Sequence, residues 1–491
     1  MRQQLQRIHD QLADLRDHHE PLQAAIDKLL AEFSDALQPP FRRQIDYIHR
    51  GQRMIKIART KIYQNTKLLK KILTATDPSW ASMKELPVEI ELKKALSQQL
   101  YKSSNVRSGD KLIIAVTEDG RDLAEEIILM CLLDNVDFEL GVQDPLRMMH
   151  MINDMNDEQL EKLAQLTLEK YEGVKSEIII SSSTSPDIKR RTNPDRMKQY
   201  KLLNKPIHDL AMAGDLHYTL TRIPTRHDAD LDEMKYEDYL ELFFELCDQP
   251  WEEIQKAQEA LKSHFDSAKE LRLSNSDGTD LTLDITNMTF ANSVIAKNIP
   301  GSEIFSAPVK TGVNGKVVAK GKFRYGTSDT IENITLSFKN GRIESFSAEM
   351  NEGDLEKIIT ADDEHGEGTR HLGEIGIGTN PHLRRHVINP LLVEKIGGSF
   401  HIALGSCYTY TSYLGAPVNL NNGNQSHSGA HWDLTTLLRG KDGIMELDGK
   451  CIQENGDWIG TEFDVLNKSW EALHVEDQPF WWKQKYSLNK S

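Results

Sequence analysis

The sequence predicts three parts: a helical N-terminal extension (residues 1–85), an α/β domain on a mostly parallel sheet (86–285), and a β-rich α+β domain (286–491). Three observations predict this. Residues 1–37 repeat apolar residues at helical spacing. From about residue 106, continuous apolar strands alternate with helical stretches. Beyond about residue 278, Gly, Asn and Thr rise and short alternating runs dominate. At 491 residues the chain is also too long for one ordinary domain.

In the extension, Leu5, Ile8, Leu12 and Leu15, then Leu22, Ile26, Leu29 and Phe33, recur at spacings of three and four, with a break near Pro21. After "QPP" at 38–40 a second helical pattern runs from Phe41 to Leu73, with ten Lys/Arg against one Asp. A solvated helix face is a plainer reading of that run than a polyanion- or partner-binding arm. The α/β domain follows from "DKLIIAVTEDG" (110–120, strand and turn), "RDLAEEIILMCLLDN" (121–135, helix), "VDFELGV" (136–142, strand) and "SEIIISSSTSP" (176–186, strand). It carries neither G-x-G-x-x-G nor G-x-x-x-x-G-K-[ST], so neither nucleotide fingerprint is present. One helical stretch, 237–271, leads into the strand at 278–285, and "GKVVAKGKFRYG", "NITLSFKNGRIESFSAE" and "GKCIQENGDW" read as strands and hairpins.

Composition narrows the function classes. A net charge of −16 argues against nucleic-acid binding by the whole molecule. Cys131, Cys247, Cys407 and Cys451 contain no C-x-x-C pair, which excludes a zinc knuckle and offers no disulfide framework. The N-terminus lacks an apolar signal region, and no apolar run approaches the ~18 residues that spanning a membrane requires. The expectation is a cytoplasmic protein.

Chemistry concentrates in the last domain. "NIPGSEIF" supplies Glu303, "GEIGIG" Glu374, "HIALG" His401, and "HWD" both His431 and Asp433. Three carboxylates and two imidazoles suit a divalent metal of the zinc, cobalt or manganese type. His431 and Asp433, two apart, share one face of a strand. Five ligands exceed one tetrahedral site and fit two metals sharing a bridging carboxylate, roughly 3.5–4 Å apart. Any one of them alone could be an ordinary hydrogen-bonded group, and H-E-x-x-H is absent.

The order N-x-P-G-x-E, G-E-x-x-x-G-T-N-P, H-I-A-L-G, S-x-x-x-H-W-D closely resembles the M29 family of metallo-aminopeptidases, the aminopeptidase T group. "SGDKLIIAVTEDGRDLAEEI", "RIPTRHDAD" and "GTDLTLDI" extend the likeness over about residues 100–450. The resemblance implies metal ligands at Glu303, Glu374, His401, His431 and Asp433, with Glu394 as an outer or occasional ligand because it stands further from its histidine than in the founding members. It implies that Tyr408 donates a hydrogen bond to the tetrahedral oxyanion or to the attacking water. Glu374 is its preferred bridging carboxylate and proton carrier. Two divalent ions, peptide substrates with a free N-terminus and a homodimer are likewise implied. Lys310 stands where an acid is commoner, and His427 is an extra imidazole. Two rival readings stay open: a related metal-binding protein with altered or lost peptidase activity, and an adaptor acting through the basic N-terminal helices.

Overall fold

The computed structural model describes residues 88–182, 186–326 and 328–487, together with the helix Gln23–Ala31 and a few isolated positions between 6 and 54. The rest of the extension, including most of the basic run at 41–73, lies outside the described residues. Within it, Leu12, Ile26, Leu29 and Met54 are buried in one cluster with Leu92, Leu96 and Leu100 of the helix Val88–Ser103 and with the parallel-sheet core.

The α/β part is a five-stranded parallel sheet in the order Asp137–Gln143, Lys111–Thr117, Val174–Ser182, His217–Ile223, Asn298–Ile299. Its inner strands read as near-continuous Ile/Leu/Val because helices such as Arg121–Leu133 cover them. The short last strand is held by the Thr221 hydroxyl, which donates to the Ile299 carbonyl at 2.7 Å. Four residues later the chain enters the strand Glu303–Ser306 of a second sheet, so the parallel sheet runs directly into the strand that begins with Glu303.

The helical stretch expected at 237–271 is two helices, Tyr236–Cys247 and Trp251–Ser267, followed by the strand Glu270–Ser274. Pro250 explains the break: it offers no N–H to a preceding turn and keeps Gln249 out of helical geometry. The β-rich part holds an eight-stranded and a five-stranded sheet, facing each other across one apolar core. Its hairpins turn where asparagine and glycine both adopt positive φ, at Asn340–Gly341 and Asn455–Gly456, which matches the twist of the flanking strands. Among the described residues no helix is long and apolar enough to cross a membrane.

Candidate metal centre

The five-stranded sheet is antiparallel, in the order His431–Leu437, Ser399–Gly405, Leu372–Gly378, Glu303–Ser306, Ala291–Ser293. Its register decides which side chains meet. Gly378 lies opposite Glu303, Gly376 opposite His401, and Ala403 opposite both Glu374 and Asp433, while Gly405 lies opposite His431. Residues opposite each other point to the same face, as do residues two apart. Glu303, Glu374, His401, His431 and Asp433 therefore share one face, and Gly376, Gly378, Ala403 and Gly405 keep it open between them. Gly376 is required by this packing, since a Cβ there would lie 2.1 Å from Cε1 of His401. The other face carries Ile375, Ile377, Phe400, Ile402 and Leu434 into the shared apolar core.

Ligand atoms of Glu374, His401 and Asp433 all lie within 4.8 Å of one another. Nε2 of His401 is 3.4 Å from Glu374 and 3.8 Å from Glu303; Nε2 of His431 is 3.0 Å from Glu374 and 3.7 Å from Asp433. Nδ1 of His431 meets the Ser406 carbonyl at 2.8 Å, which fixes the ring and turns Nε2 toward the cluster. Burial alone would push both imidazoles down, yet the surrounding carboxylates hold His401 up at about 9 and His431 at about 10. Burial and the neighbouring Glu394 raise Asp433 to about 7, and burial also raises Glu303. Hydrogen bonds and charge from His401 and His431 overcome burial at Glu374 and hold it well below the usual carboxylate range.

Lys395 was invisible to motif reading and sits at the centre of this chemistry. It is fully buried, and its Nζ lies 2.5 Å from Glu303 and 2.7 Å from Glu394. The local signal is a lysine inside the apolar run "LLVEKIGG". Glu394 follows the short helix Pro390–Val393, whose N-terminus is capped by the buried Asn389 side chain. Tyr408 packs edge-on against Phe305 at 5.4 Å and lies 5.2 Å from the His431 ring. Burial lifts its phenol well above the ordinary range, so it stays a protonated donor. Lys310 and His427 have other neighbours: burial, then the charge of Lys310, pushes the His371 imidazole down, and the exposed His427 stacks on His365 at 4.2 Å.

Residues 91–458 match the family described as thermophilic metalloprotease (M29). The chain belongs to that family. Among curated relatives, Aminopeptidase AmpS of Bacillus subtilis (strain 168) is 31% identical over 205 residues, 37% of this chain and 47% of its own length. Aminopeptidase 2 of Geobacillus stearothermophilus is 33% identical over 130 residues, 26% of this chain and 28% of its own. The chain thus spans less than half the length of the curated relatives it matches. Wild-type AmpT from Thermus thermophilus shares the fold, with a TM-score of 0.60 at 18% identity, covering 75% of this chain and 100% of that one.

An M29 chain implies a divalent metal, and the residues fit one. Glu303 Oε2, His401 Nδ1 and Asp433 Oδ1 are buried without a hydrogen-bond partner, an unfavourable arrangement unless something further binds there. The Glu374, His401 and Asp433 side fits as it stands, with His431 Nε2 beside it at 3.0 Å from Glu374. The Glu303 and Glu394 side is spanned by the Lys395 ammonium, so an ion there requires that ammonium to move.

Proposed function

We propose that this protein is a metal-dependent aminopeptidase that removes N-terminal residues from peptides. The observation that carries the reading is the convergence of Glu374, His401 and Asp433 within 4.8 Å on one sheet face of an M29 chain. The two curated relatives, both named aminopeptidases, support it. Its fuller form has two ions of zinc, cobalt or manganese, one held by Glu374, His401, Asp433 and His431 and one by Glu303 and Glu394. A bound divalent metal supplies Lewis acidity and makes a water nucleophilic near neutral pH.

The chain's own groups supply the rest. Tyr408, held protonated by burial, donates to the oxyanion that develops on the scissile carbonyl. Glu374 carries the proton from the water toward the leaving amine. Four free cysteines support work in a reducing compartment such as the cytoplasm. A homodimer belongs to the same reading, and sedimentation tests it.

The deciding experiment measures bound metal in the pure protein and release of single residues from peptides with free and acetylated N-termini. Metal-dependent release from the free peptide alone is expected. A metal-loaded protein that cleaves neither would favour the altered-activity reading.

A further inference from the structure

A cavity of about 300 Å³ opens beside the cluster, lined by Glu394, His431 and Asp433 and also by Lys189, Arg222 and Arg324. No step above uses those three cations, and none forms an ion pair among the described residues. Nε of Arg222 and Nε of Arg324 are both buried without a hydrogen-bond partner among the described residues, and Nη2 of Arg324 lies 3.3 Å from Nε2 of His227. Asp228, which also lines the cavity, accepts hydrogen bonds from the Thr225 amide and hydroxyl at 2.8 and 2.9 Å. A fourth cation, Lys322, is engaged by Glu233 at 3.1 Å.

Asp228 is the one carboxylate that the electrostatics set against all three cations, and two of them keep unmet buried donors, so positive charge and hydrogen-bonding capacity are left over in the hollow. An anion meets both. The position agrees with a general habit of α/β sheets, which bind ligands beyond the carboxyl ends of their strands. Arg222 lies near the carboxyl end of His217–Ile223, and Lys189 lies seven residues beyond the end of Val174–Ser182. Two guanidinium forks match the planar geometry of a carboxylate.

We propose that this cavity binds a carboxylate of the substrate, and so selects short peptides whose negative charge lies close to the scissile bond. The proposal rests on the aminopeptidase reading. That carboxylate is either the C-terminus of a dipeptide or an acidic N-terminal side chain.

Wild type, Arg222→Gln and Lys189→Gln are compared on Leu-Ala, Leu-Ala amide and Glu-Ala amide. The wild type is expected to favour one charged substrate over Leu-Ala amide by about 10- to 100-fold in kcat/KM, chiefly through KM. Each variant should bring that ratio toward one. Preference for Leu-Ala identifies the terminal carboxylate, and preference for Glu-Ala amide the side chain. Lys189 is exposed, so its variant reports even if Arg222→Gln misfolds. Equal kcat/KM on all three substrates in the wild type overturns the proposal while leaving the aminopeptidase standing. If nothing is cleaved, the aminopeptidase reading fails instead, and calorimetric titration with the same three compounds decides the pocket. Tighter binding of a charged compound, lost in the variants, supports it; equal affinities overturn it.

Discussion

The Tyr408 hydroxyl makes no hydrogen bond to the described residues, although its ring is wedged between Phe305, Tyr410 and His431. Packing thus fixes the ring while leaving its donor free. Tyr408→Phe should lower kcat and kcat/KM together by ~10²–10³ with bound metal retained; a change in KM alone would make it a substrate contact. Lys395 offers a different test. In Lys395→Met, Glu303 and Glu394 lose the cation between them, so the metal-free protein should lose about 3–5 kcal/mol. Added divalent metal should restore much of this by binding the folded state. Urea unfolding with and without chelator measures both, and a loss unaffected by metal would separate Lys395 from the ion site. A third residue sets a pH slope. Burial holds the His386 imidazole down at about 4, packed on Phe323 at 4.9 Å. The unfolded chain, with an ordinary histidine near 6.5, protonates first, so stability is present above that pH and is lost as pH falls toward 4. The stability gap between wild type and His386→Gln should narrow by about 2 kcal/mol between pH 7 and 4.5, as read by urea unfolding at each pH.

At the scale of elements, the candidate ligand groups are arranged by hydrogen-bond register across four strands. Gly376→Ala drives a methyl into the His401 ring, so bound metal per chain should fall several-fold while the circular dichroism spectrum is kept. Unchanged metal content would mean that the ring has room to turn. The strands themselves were legible, because alternation, apolar runs and Asn-Gly turns are local signals: Lys111–Thr117, Val174–Ser182 and the Ile331–Met350 hairpin follow from them. Pairing register is not local. Nothing near Glu374 states that Ala403, and beyond it Asp433, will lie alongside, since a one-residue slip would turn every side chain to the other face. Lys395 escaped for the same reason, since its partners Glu303 and Glu394 include one 92 residues away. The three pocket cations come from three separate segments, and no composition argument distinguishes an unpaired arginine from a paired one.

For the whole molecule, the extension is the open part. Leu12, Ile26, Leu29 and Met54 join the cluster that holds the parallel-sheet core, and none of the candidate ligands belongs to it. Removing residues 1–85 should therefore leave metal content and hydrolysis of a small aminoacyl substrate intact, while lowering thermal stability and altering oligomeric state or preference for longer peptides. Metal analysis, calorimetry and sedimentation of the truncated protein check this. A stable truncated protein with unchanged assembly and no activity on the smallest substrate would place a catalytic contribution in the extension. The opposite end of the chain is also anchored to this core. Trp481 and Trp482 are buried against it, and Lys485 reaches Glu245 at 2.6 Å.

The buried Lys395 bears on when the chain acquires its ion. Around the ligand face, Glu303, Glu374, Glu394 and Asp433 are accompanied by Lys395 and by two imidazoles held in their charged form. Small zinc domains, lacking such internal compensation, stay unfolded until metal arrives. Here the folded chain carries its own counter-charges, so its fold should not wait for metal: chelated protein should still unfold cooperatively in urea, and an apo form without a cooperative transition would contradict this.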